Sequence, residues 1–188
     1  MSARQPRAGT AAPGWVAATA VMAVVVEAPV FWHFGWSPPL GAYLVFGATA
    51  TVVSATDIAS RRVPNWVVLA AVVVGAVLFA LASGIDAAWW SLARAGVAMA
   101  VLAGFYLALG LMFPSGMGMD DVKWAAVIGL YLGWLGWSAV ATGTLLAFAA
   151  AAVAVLALRP ATFRRGRLVV PMAPFISAGA LVAVLVAR

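Results

Sequence analysis

Six side chains supply most of the acid–base chemistry open to this chain: Glu27, Asp57, Asp86, Asp120, Asp121 and His33, the only histidine. A single imidazole cannot build a multi-histidine metal site, and it stands away from the aspartates, so a histidine-based triad has no support. With no cysteine in the sequence, a thiolate nucleophile, a disulfide framework and a cysteine-ligated zinc domain are all excluded. Carboxylate chemistry is what remains. Two carboxyl groups held close together cannot both ionise cheaply, so one keeps a proton while the other activates a water molecule. The protonated partner polarises the carbonyl under attack, and the two exchange roles to protonate the leaving amine. This chemistry needs no metal and no cofactor.

The five acids differ in context. Asp86 follows Gly84 in a short polar loop and reads as a solvated turn residue. Glu27 lies inside an apolar run, where an ionisable side chain is expensive; it reads as a neutral, protonated or hydrogen-bonded structural carboxyl. Asp57 ends one apolar run in "TDIASRRVPNWVV", and Asp120 and Asp121 precede another in "FPSGMGMDDVKWAAVIGLYLG". An acid in a helix's first turn is natural, whereas Asp57 at the end of a helix opposes the dipole and calls for another reason.

The elements that must position these residues follow from composition. The chain has 188 residues, 66% of them hydrophobic and 9% charged, with a mean hydropathy of +1.09, which fits an all-α polytopic membrane bundle rather than a soluble domain. A span needs about 20 mostly apolar residues. Seven candidates follow: Gly14 to Phe31, Leu40 to Thr56, Pro64 to Leu81, Ala88 to Phe113, Val122 to Leu135, Ser138 to Leu158, and Val170 to Val186. The count falls to six if the first, preceded by Arg4 and Arg7, is a cleaved signal; a retained span is preferred because no cleavage site stands out. The fifth run has fourteen residues, about 21 Å of helix, so a recessed start would place Asp121 below the membrane surface.

Orientation follows from the basic residues. With a cytoplasmic N-terminus, Arg4, Arg7, Arg61, Arg62, Lys123, Arg159, Arg164, Arg165 and Arg167 share the cytoplasmic side, leaving only Arg94 and Arg188 towards the outside. The net charge of +6 is thus spent at span ends, which argues against nucleic-acid binding and for a lipid bilayer as the chain's surroundings. Tryptophans agree, since indoles favour the lipid–water boundary: Trp32, Trp36, Trp89, Trp90, Trp134 and Trp137 fall at outer ends, and Trp15, Trp66 and Trp124 at inner ends. Asp57 and the Asp120/Asp121 pair, distant in sequence, then share one cytoplasmic depth.

These residues resemble the type IV prepilin peptidases, membrane aspartic proteases of the GxGD type. Asp57 is followed after six residues by Pro64 and Asn65, similar to the family's first motif. "GMGMDDVK" is similar to its Gly-x-Gly-Asp-x-Lys motif, through Gly116, Gly118, Asp121 and Lys123. "VPMAPFISAGAL", with Pro171 and Pro174, looks like the start of the family's last helix. The resemblance covers Leu40 to the C-terminus, leaving 1–38 as a tail and an extra helix ahead of a family-like core at 40–188, within one domain of 1–188.

The second motif departs from the pattern, because Asp120 stands where the family has its second Gly. Asp121 is preferred as catalytic because Val122 and Lys123 follow in register, with Asp120 as the alternative; neighbours on a helix diverge by about 100°, so both cannot face Asp57 equally. The resemblance implies a bacterial inner-membrane endopeptidase that removes the short basic leader of prepilins at the cytoplasmic face. Larger members carry a cysteine-rich insertion and also N-methylate their product; its absence here predicts a short, peptidase-only form like those of tight-adherence (Flp) pilus systems. The competing expectation is a non-enzymatic scaffold or small transporter, for which Glu27 and Arg94 would serve as intramembrane polar sites.

Overall fold

The computed structural model describes residues 13–113, 117–162 and 171–187. Arg4, Arg7, Pro114, Gly116, Arg164, Arg165, Arg167 and Arg188 lie outside the described residues, as do the side chains of Trp15 and Arg159. Seven helices follow one another: α1 Pro13–Phe34, α2 Leu40–Ser60, α3 Asn65–Asp86, α4 Trp89–Met112, α5 Met119–Leu135, α6 Trp137–Thr162 and α7 Ala173–Val186. Among the described residues, α2, α3, α4 and the stretch Trp137–Ala157 of α6 are long and apolar enough to cross a membrane; Val21–Phe34 and α7 are shorter apolar helices. All seven expected spans are helices. Most run past their apolar stretch, because hydrogen bonding carries a helix on until a residue or turn stops it. α2 stops where Arg61 turns left-handed (φ 53°) and returns its N–H to the Asp57 carbonyl.

The bundle faces outward with hydrocarbon. Leu69, Leu81, Leu111, Leu145, Val153 and Leu156 are each more than 60% exposed, a surface that only lipid covers comfortably. The chain is a multi-pass helical membrane protein. Threonines on α2 satisfy their hydroxyls within the helix, Thr49 on the Val45 carbonyl and Thr51 on the Gly47 carbonyl, as hydroxyls in lipid must.

α5 is the hub. From Val127 to Trp134 every residue is buried, and α2, α3 and α7 are each hydrogen-bonded to the helix. Tyr43 of α2 donates to the Tyr131 carbonyl at 2.9 Å, Tyr131 donates to the Ala71 carbonyl of α3 at 2.9 Å, and Trp124 donates to Ser177 of α7 at 2.9 Å. Against α4 the packing is closest. A Cβ on Gly129 would lie 2.5 Å from the Ala98 carbonyl oxygen, and one on Gly133 2.9 Å from the Ala95 Cα. Lacking a hydrophobic drive between helices in lipid, such small-residue seams let backbones meet.

Two expectations change here. Trp124 and Trp134 are not boundary residues: they are 0% and 8% exposed. A segment end is not a membrane surface when the segment lies in the middle of the bundle. Trp32, Trp36, Trp66, Trp89 and Trp90 are highly exposed, as a belt requires.

Arg94, the exception to the charge pattern, caps α5. Its guanidinium donates to the Gly133 carbonyl at 2.8 Å and the Trp134 carbonyl at 2.6 Å, satisfying carbonyls that a helix end leaves orphaned. Arg94→Met is therefore expected to destabilise the fold by ~2 kcal/mol, the range for hydrogen bonds to a charged group. Thermal unfolding in detergent, compared with the native chain, measures it.

Candidate active site

One end of the bundle gathers the end of α2, the start of α3, the start of α5 and the start of α7. Three carboxylates meet there. Asp57, 8% exposed, sits in the last turn of α2, where its own helix dipole opposes it. The missing reason for its position comes from α7: the Asp57 Oδ2 accepts the Ala173 N–H at 3.1 Å. That N–H opens α7 between Pro171 and Pro174, so the acid caps another helix and meets its positive end. The Pro-x-x-Pro run was the sequence signal for this helix start; the identity of the acid it caps is a tertiary fact.

Asp120 and Asp121 lie inside the first turn of α5, which begins at Met119 rather than Val122. Acids in a first turn extend a helix towards them. Asp121 turns back on its own helix, its Oδ2 accepting the Gly118 N–H at 3.0 Å. Asp120 faces the other way. Its Oδ2 accepts the Val63 N–H at 3.1 Å, and its Oδ1 pairs with the Lys123 ammonium at 3.3 Å. Lys123 also donates to the Asn65 Oδ1 at 3.0 Å, and Pro64 leads into α3 in extended conformation. Asp120 and Asp121 each lie within electrostatic reach of Asp57.

The two neighbours thus differ in what their oxygens already do. Asp120 has both engaged. Asp57 and Asp121 each have one oxygen on a backbone N–H at a helix start, and among the described residues no hydrogen bond takes the other. Of the residues singled out from sequence, Asp57, Asp120, Asp121, Asn65, Lys123, Gly118, Pro64, Pro171 and Pro174 are placed at this end. Val63 and Ala173 were invisible beforehand because they act through backbone N–H groups. Ser177 was missed because a lone serine in an apolar helix has no signature.

A groove of about 500 Å³ lies between α1, α2 and α7, lined by Met22, Val26, Ala55, Ile58, Pro174 and Ser177 among others, and is overwhelmingly apolar. No group of three or more metal-ligating side chains among the described residues is arranged to hold a metal ion. The other acids stand apart. Asp86 is exposed at the end of α3, and His33 is exposed near the end of α1. Glu27 packs against Gly47 of α2, and neither carboxyl oxygen has a hydrogen-bond partner among the described residues, so the hydrogen-bonded form of that expectation is not what the structure contains.

A helical membrane bundle with clustered carboxylates on separate helices is the class of protein these features define. Residues 44–158, more than half of the chain, match the type IV leader peptidase family. The chain belongs to that family, and is a leader-peptidase-like protease. The matched segment contains Asp57, Asp120 and Asp121 and stops short of α7. No curated protein and no solved structure matches the chain.

Proposed function

We propose that the protein is a membrane aspartic endopeptidase that removes the basic leader of type IV prepilins or pilin-like precursors, with Asp57 and Asp121 as its dyad. The observation carrying this reading is the matched pair of environments: two carboxylates on different helices, each steadied by a helix-start N–H and each with one oxygen that no hydrogen bond takes among the described residues. One carboxyl holds the shared proton and donates to the scissile carbonyl oxygen. The other takes a proton from water as it attacks the carbonyl carbon, giving a tetrahedral diol. Collapse returns the proton to the leaving amine. No metal or cofactor enters.

Arg61, Arg62 and Lys123 lie at the dyad's end, while the one arginine or lysine near the opposite end among the described residues, Arg94, is engaged in capping α5. That asymmetry favours a dyad at the cytoplasmic face of a bacterial inner membrane. The apolar groove between α1, α2 and α7, which Ile58 of α2 and Pro174 of α7 help to line, suits the hydrophobic helix of a precursor whose leader remains in the cytoplasm. A single domain of 1–188 without a cysteine-rich insertion fits a peptidase-only form, similar to those of tight-adherence systems.

The scaffold or transporter alternative loses Arg94 to its capping role and retains Glu27. Co-expression with a pilin-like precursor separates the two readings. Leader removal, read by mass spectrometry as a new N-terminus at the start of the apolar helix, is expected; an intact precursor across a panel of such substrates would favour the scaffold.

A further inference from the structure

The link between α2 and α3 spans only residues 61–64, and it carries the last turn of α2, with Asp57, into the rest of the bundle. Its anchor is Val63, whose side chain is 4% exposed and whose N–H, directed out of either helix, is taken by the Asp120 Oδ2. The other Asp120 oxygen holds Lys123, and Lys123 reaches Asn65 at the start of α3. One side chain on α5 therefore fastens both sides of the link. Asp121, next along the same helix turn, travels with it.

We propose that Asp120 is a positioning residue for the dyad: it clamps the α2–α3 link to the start of α5, fixing the approach of Asp57 to Asp121, and its charge sets the pH range in which the dyad works. This inference rests on the Asp57/Asp121 reading above. Asp120 itself touches neither water nor substrate in the reaction. Among the described residues, the charged and titratable groups acting on the three carboxylates are Arg61 from the α2–α3 link, Tyr106 from α4 and Lys123 from α5. A fixed negative charge beside the dyad makes its shared proton harder to lose. Neutralising Asp120 removes that effect and leaves Lys123 without its partner, and both changes move the dyad's working range the same way, to lower pH.

The test compares Asp120→Asn with Asp120→Ala in liposome-reconstituted protein cleaving a pilin-like precursor peptide. Asn keeps an oxygen for the Val63 N–H, so kcat at the optimum is expected to stay within about threefold, with both limbs of the pH–rate profile displaced downwards by about one unit, the size expected for loss of a neighbouring charge in a partly wet site. Ala loses the anchor, and kcat is expected to fall about tenfold with KM little changed. Hydrogen exchange gives a readout independent of activity: the Val63 amide should exchange faster in Asp120→Ala and stay protected in Asp120→Asn. An unmoved pH profile in Asp120→Asn, or unchanged Val63 protection in Asp120→Ala, overturns the proposal. So does loss of all cleavage in Asp120→Asn when Asp121→Asn still cleaves, which makes Asp120 catalytic. Failure of the underlying dyad reading shows separately, as cleavage that survives Asp57→Asn.

Discussion

Asp57→Asn is expected to abolish leader cleavage, lowering kcat by about a thousandfold or more, while the protein remains folded in the membrane. The magnitude is that of removing a positioned acid–base group. An amide can neither take a proton from water nor hand one to a leaving amine. The structural cost is smaller, since an Asn oxygen can still accept the Ala173 N–H that Asp57 accepts at 3.1 Å, although without the charge that favours the start of α7. The two effects separate cleanly. Activity is measured as precursor processed per enzyme, and folding as the thermal midpoint in detergent; the first should collapse and the second move by a few degrees. Asp57→Ala, lacking any acceptor, should lose activity to the same extent and stability further.

The largest effect on the fold is expected at Gly129. A Cβ there would lie 2.5 Å from the Ala98 carbonyl oxygen and 2.7 Å from the Met99 Cα. Backbone atoms on both sides cannot step aside as a flexible side chain would. Gly129→Val must push α4 and α5 apart, breaking the seam that also brings Arg94 to the end of α5. Overpacking costs ~1–3 kcal/mol when side chains can yield, and more is expected where only backbone can. Gly129→Val should fail to accumulate as folded protein, judged by fluorescence size-exclusion chromatography of detergent extracts. Gly104→Val offers the control, since nothing lies within 4 Å of a Cβ there.

Helices and their order were legible because only helices and closed barrels hide their backbone polar groups in lipid, and runs this long and unalternating do not suit barrel strands. The placement of Asp57, Asp120 and Asp121 at one end followed from counting spans between them. Which helix would be central was not legible. α5 is the shortest apolar run and carries Asp120, Asp121 and Lys123, features that read as a marginal span, yet it is the most enclosed helix. Its small and aromatic residues, Gly129, Gly133, Tyr131 and Trp134, pack helix on helix, whereas hydropathy measures only affinity for lipid. The same blindness sent Trp124 and Trp134 to the membrane boundary. At the site, spacing gave the aspartates but not their roles. The choice between Asp120 and Asp121 from sequence leaned on the Val-Lys that follows; in three dimensions the two differ in their partners, the Val63 N–H for Asp120 and the Gly118 N–H for Asp121, and backbone donors leave no trace in residue identity.

The most direct measurement is the initial rate of precursor cleavage by purified, reconstituted Asp121→Asn protein, beside Asp120→Asn and the native chain under the same conditions. A dyad of Asp57 and Asp121 predicts no product above the enzyme-free rate from Asp121→Asn, with Asp120→Asn still cleaving at the native peptide bond. Cleavage by Asp121→Asn within about tenfold of the native rate, far above what loss of an acid–base group permits, would contradict it.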